Sequence, residues 1–153
     1  ITDTAATKII GEANKENRKL KTTTRKALYA GIEQAKPGNT VADIGRAVED
    51  FVEPFGYGIV RDLCGHGVGH GIHEEPNVFN FYKEEMEEYK LEEGVVIAIE
   101  PMLIISGNPN VKTAEDGWSI VSKDESMTAH FEHTVIIRED GPEIATKRPN
   151  EAI

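Results

Sequence analysis

The sequence predicts an α+β fold in which an antiparallel sheet is covered on one face by helices. Two observations lead to it. Between Ala13 and Val52 apolar residues recur at three- and four-residue steps among charged ones, and beyond Gly56 the chain changes to short β-branched runs separated by turns. Helices are therefore grouped ahead of strands.

Taken in order, Thr2 to Ile10 is rich in Thr, Ile and Ala and ends at Gly11, which predicts a short strand and a turn. Leu20, Ala27, Leu28, Ile32 and Ala35 line one face of a helix from about Ala13 to Ala35, stopped by Pro37-Gly38. Thr40 with Asp43 three residues later is an N-cap signal for a second helix. Ile44, Ala47, Val48, Phe51 and Val52 form its apolar stripe, and it ends near Pro54. Strands are expected at Tyr57 to Leu63, Val95 to Ile99, Met102 to Ile105, Trp118 to Ser122, Phe131 to Ile137 and Glu143 to Ala145. Lys83 to Glu93 holds six Glu in eleven residues, the composition of a solvated loop or helix face.

Bulk properties narrow the class further. A chain of 153 residues buries enough surface to fold as one domain without staples, and a single cysteine, Cys64, excludes an internal disulfide framework. That cysteine usage fits a reducing compartment, so the cytoplasm is the expected location. A net charge of −10 argues against direct binding to nucleic acid or an anionic membrane. No apolar run reaches membrane-spanning length, and Ile-Thr-Asp-Thr at the start has neither the basic flank nor the apolar stretch of a signal peptide.

The least ordinary stretch is Cys64-Gly65-His66-Gly67-Val68-Gly69-His70-Gly71-Ile72-His73-Glu74-Glu75-Pro76. Glycine at this density opposes a helix, so the histidines are not a helical ligand row. In an extended chain, Cys64, His66, Val68, His70 and Ile72 share one face, all glycines the other, and His73 has opposite parity. A face made of glycine lets another backbone or a ligand approach closely. A phosphate loop would need a following Lys and a Ser or Thr, and a zinc-protease helix a second His four residues after His73-Glu74; both are missing. A tight Gly-rich crossover with incidental histidines explains one His better than three.

Imidazole and carboxylate together suit divalent transition metals. Two carboxylates stand in apolar settings: Glu100 after Val95-Val96-Ile97-Ala98-Ile99, and Glu132 within Phe131-Glu132-His133-Thr134-Val135-Ile136-Ile137. An ionised carboxylate beside a buried strand is costly unless paired or metal-bound. Asp3, between threonines on the first strand, is a third candidate.

With Asp3-Thr4, Val41-Ala42-Asp43-Ile44-Gly45, Cys64-Gly65-His66-Gly67-Val68-Gly69, His73-Glu74-Glu75-Pro76, Ile99-Glu100-Pro101-Met102, Asp116-Gly117-Trp118 and Glu132-His133-Thr134 in view, the chain resembles the methionine aminopeptidases of the shorter bacterial type, within the pita-bread metallopeptidases. The resemblance spans essentially the whole chain. It implies two divalent ions, of cobalt, manganese, iron or zinc, with His66 and Glu100 on one and Asp3 and Glu132 bridging both. It implies that Glu100 shuttles protons, that His73 contacts the substrate at the scissile bond, and that Trp118 and Ile72 line the methionine pocket. The implied substrates are the N-terminal Met of peptides and nascent proteins, including ribosome-associated ones.

The family site also holds a further Asp and a second substrate-contacting His ahead of the segment matching Asp3. Residues 1–153 are therefore expected to be one domain forming the C-terminal portion of the catalytic unit, inactive or nearly so alone. His70 is expected to be exposed or to lie behind the ligands. Two other functions are weighed: an Xaa-Pro aminopeptidase or prolidase-type hydrolase, and a non-catalytic pita-bread binding protein. The intact Asp3, His66, Glu100 and Glu132 argue against the latter.

Overall fold

The computed structural model describes residues 1–149. Helix α1 (Lys15–Ile32) begins where the Asn14 side chain accepts the backbone N–H of Asn17. Helix α2 (Val41–Val52) begins with a full capping box: the Thr40 side chain accepts from Asp43 N–H while the Asp43 carboxylate accepts from Thr40 N–H. The two helices pack together and bury Leu20, Ala27, Leu28, Ile44, Val48 and Val52 against the strands.

The strands are β1 (Gly58–Ile59), β2 (Gly65–Gly67), β3 (Glu74–Val78), β4 (Val96–Ile99), β5 (Met102–Ile104), β6 (Val111–Thr113), β7 (Ile120–Ser122), β8 (Thr128–His130), β9 (His133–Ile136) and β10 (Glu143–Ile144). All pairings are antiparallel. They form a five-stranded sheet in the order β10-β9-β4-β2-β3, a three-stranded sheet β1-β5-β8, and a separate β6-β7 hairpin. The α+β class holds, with three sheets in place of one.

Several elements differ from expectation for identifiable reasons. Residues 2–10 do not make a regular strand; they run extended beside β8 and β9, tied by threonine side chains and a single bridge from Ala6 to Phe131. The run Phe131 to Ile137 is broken at Phe131-Glu132, because there the chain leaves the three-stranded sheet for the five-stranded one. The reverse crossing, from β4 to β5, occurs at Glu100-Pro101, where proline cannot supply a ladder N–H. Strands β3, β6 and β8 were not expected, since Glu74-Glu75-Pro76-Asn77-Val78, Val111-Lys112-Thr113 and Thr128-Ala129-His130 carry little strand signal. Trp118 lies in the turn before β7, not on the strand. Lys83 to Glu93 forms a solvent-facing 3₁₀ segment at Glu84–Glu88 and a loop, as its composition predicts.

Strand β2 is wedged between β3 and β4, and its glycines make this possible. A methyl group built on Gly65 would collide with the carbonyl oxygen of Ala98 on β4, and one on Gly67 with that of Glu75 on β3. The close approach expected of a glycine face is thus made by two neighbouring backbones.

Candidate metal centre

The two sheet crossings lie side by side. Ile99 pairs with His133 on one side of them and Met102 with His130 on the other, which sets Glu100 and Glu132 at the same level. His66 reaches that level from the middle of β2, opposite Ala98. Ligand atoms of His66, Glu100 and Glu132 all lie within 4.8 Å of one another, and those of Asp3, His66 and His73 form a second such group. The five residues come from five separate segments. His66 and Glu132 are buried, Asp3 and Glu100 partly so, and His73 is exposed.

Asp3 is held by its backbone. Its N–H donates to Thr134 Oγ1 at 2.9 Å, and the same hydroxyl donates to the Asp3 carbonyl at 2.8 Å. Glu132 N–H donates to Ala5 O at 2.9 Å, and the Thr4 hydroxyl donates to Glu132 O at 2.9 Å. The Arg148 guanidinium donates to Ala5 O at 2.7 Å and to Glu132 O at 3.2 Å, binding the segment to the sheet.

Extended alternation does not survive past Gly67. The chain bends through residues 69–73, with Gly69 N–H donating to Gly71 O at 3.1 Å and Gly71 N–H to the Glu74 carboxylate at 2.5 Å. That turn cancels the parity argument and brings the His73 ring edge-on to His66, with centroids 4.3 Å apart. His70 is exposed, as expected. Ile72 is 41% exposed and Trp118 87%, and neither belongs to the two ligand groups.

The electrostatics suit a cation. His66 Nδ1 lies 3.0 Å from the Gly67 carbonyl, an acceptor, so Nδ1 carries a proton and donates. In the neutral ring Nε2 then presents a lone pair, and it faces Glu100 Oε1 at 3.6 Å. Two electron pairs meet there unless a proton or a metal ion lies between them. Burial, and then the charges of Glu100 and Asp3, push the Glu132 carboxyl up to about 7, against the opposing pull of His130 and Arg148. Buried imidazole and carboxylate donors with unbalanced negative charge fit divalent metal ions.

Two neighbours escaped sequence reasoning. His130 Nε2 stands 3.4 Å from Glu100 Oε2, and the Asn80 side-chain amide donates to Glu100 O at 3.2 Å. His130 had a usable signal, since it precedes Glu132 by two and shares its strand parity. Asn80 had none, because its contact with Glu100 depends on the loop after β3.

A model of metallopeptidase family M24 matches residues 1–139. The chain belongs to this family. Among curated M24-type relatives it is similar to the methionine aminopeptidase of Clostridium acetobutylicum, 44% identical over 144 residues, covering 94% of this chain and 57% of that protein. It is 42% identical over 145 residues to that of Borreliella burgdorferi, covering 95% of this chain and 57% of the relative. Among solved structures, the methionine aminopeptidase of Thermotoga maritima superposes with a TM-score of 0.90 at 39% identity, covering 96% of this chain and 58% of that one. A prolidase from Pyrococcus furiosus gives 0.74 at 26% identity, covering 97% and 38%. The M24 chain thus spans 57% of the length of these curated relatives and carries the corresponding part of a pita-bread fold.

Proposed function

We propose that the protein carrying these 153 residues is a metal-dependent methionine aminopeptidase that removes the N-terminal Met of peptides and nascent proteins in the cytoplasm. The observation that carries this reading is the convergence of His66, Glu100 and Glu132, with Asp3 and His73 alongside, in an M24 chain similar to methionine aminopeptidases. Asp3, His66, Glu100 and Glu132 would hold the two divalent ions. When bound, the ions supply Lewis-acid polarisation of the scissile carbonyl and acidify water toward neutrality.

The protein's own groups carry the remaining steps. Glu100 takes the proton of the attacking water on a carboxylate oxygen and returns it to the leaving amine. His73, exposed beside His66, donates a hydrogen bond to the carbonyl oxygen of the first peptide bond, where negative charge develops. Ile72 and Trp118 present exposed apolar surface for the methionine side chain to cover.

The test, on the whole protein that carries these residues, is release of free Met from a Met-Ala-Ser peptide, against Xaa-Pro peptides, after reconstitution with cobalt, manganese, iron or zinc. Met release that EDTA abolishes is the expected result. Cleavage confined to Xaa-Pro peptides, or none with any of the four metals, would refute the assignment.

A further inference from the structure

Glu100 stands between two imidazoles. Its Oε1 faces His66 Nε2 at 3.6 Å and its Oε2 faces His130 Nε2 at 3.4 Å. His130 ends β8 and pairs across the sheet with Met102. Its Nε2 atom is buried and lacks a hydrogen-bond partner among the described residues, although the side chain as a whole is 37% exposed. His130 and Glu100 share the wall of a cavity of about 300 Å³ whose other lining is mainly apolar, including Val60, Leu63, Met102 and Ile120. His130 lies outside both groups of converging ligand atoms.

An unpartnered buried nitrogen is costly, and an acceptor stands close by in the second oxygen of the Glu100 carboxylate. From 3.4 Å a small rotation of either side chain completes the hydrogen bond. The terminal torsion of a glutamate is broad, so an unassisted carboxylate spreads its lone pairs over many directions. A donor fixed on one oxygen selects the direction of the other, and ligating carboxylates characteristically have such a donor.

We propose that His130 is a positioning residue: its Nε2 donates to Glu100 Oε2 and thereby aims Oε1 at the metal position beside His66 Nε2. This rests on the metallopeptidase reading above, and it gives His130 no contact with the metal.

The test is titration of the metal-free protein with Co²⁺, followed by calorimetry and visible absorption, for the unsubstituted protein and for His130→Ala, His130→Leu and His130→Gln. His130→Ala and His130→Leu should each bind Co²⁺ roughly 10- to 100-fold more weakly, with an altered visible spectrum and an unchanged metal-free melting temperature. His130→Gln, which keeps an N–H donor at similar reach, should recover most of the affinity. Unchanged affinity and spectrum in both Ala and Leu variants would overturn the proposal. So would failure of the unsubstituted protein to bind Co²⁺, which would also overturn the metallopeptidase reading. Weakened Co²⁺ binding in the variants with no Met release from the unsubstituted protein would uphold the role of His130 and remove only the substrate assignment.

Discussion

The paired helices and the metal-facing sheets are built by opposite rules. In α1 and α2 each decisive interaction is local: the Thr40–Asp43 capping box spans three residues, and the buried stripe follows helical periodicity. In the sheets the decisive contacts are remote. Asp3 is tied to Thr134 and Glu100 lies beside Glu132, and the site has meaning only once four or five segments are in register. The helical half spends its interactions on stability, whereas the sheet half holds buried like charges that oppose it.

The sharpest break between the halves is Glu100→Gln. It keeps the shape of the side chain and removes its proton chemistry, so Met release should fall roughly 10²- to 10⁴-fold. Helical circular dichroism should stay as it is, and the metal-free melting temperature should hold or rise, because a charge that repels Glu132 is gone. A comparable drop in stability would show that Glu100 is a packing residue first.

Next in size is Gly67→Ala, which leaves every ligand in place but drives a methyl into the Glu75 carbonyl. Overpacking of this kind costs about 1–3 kcal/mol, here measurable by urea unfolding, and Co²⁺ binding should weaken because β2 carries His66. A neutral result would mean that β2 can slide away from β3.

The charge conflict predicts a pH dependence of stability. Glu132 is raised in the fold from an ordinary 4.5 to about 7, so the folded state binds more protons than the unfolded chain between those values. Its favourable contribution is complete below about 4.5 and disappears as the pH rises through about 7. Metal-stripped protein should therefore lose this part of its urea resistance between pH 5 and 8, and Glu132→Gln should flatten that trend. Saturating Co²⁺ should reverse it, since metal and proton compete for the same oxygens. A trend of the same slope in Glu132→Gln would assign the effect to another group.

The smallest effect belongs to the helical half. Thr40→Ala removes one arm of the capping box and should cost about 1 kcal/mol in urea unfolding, with Co²⁺ affinity unchanged. A change in metal affinity would show that α2 is coupled to the site.

This contrast also explains what could be read from the residues alone. Both helices and the second cap were legible because their signals lie within a few residues of each other. Glu100 and Glu132 stood out as charges inside apolar runs, although the sheet crossings they occupy were hidden and Phe131 to Ile137 read as one continuous strand. The approach of His73 to His66 ran against strand parity, because the turn at residues 69–73 rests on a Glu74 side-chain hydrogen bond that no periodicity reports. Strand β3 exists because β2 offers it a glycine edge, a property of its neighbour and not of its own residues. The place of Asp3 followed from resemblance, since one aspartate between two threonines carries little signal of its own.

The tie between Asp3 and Thr134 joins positions 131 apart in sequence. Closing so long a loop is entropically unfavourable, and contacts of such separation tend to form late in folding. The binding centre therefore doubles as a clock for assembly: on refolding in the presence of Co²⁺, the full visible absorption should develop after helical circular dichroism has recovered. In a cell, the metal would act as an inspector of finished chains, holding only those in which the Asp3 segment has already found strand β9 of the sheet.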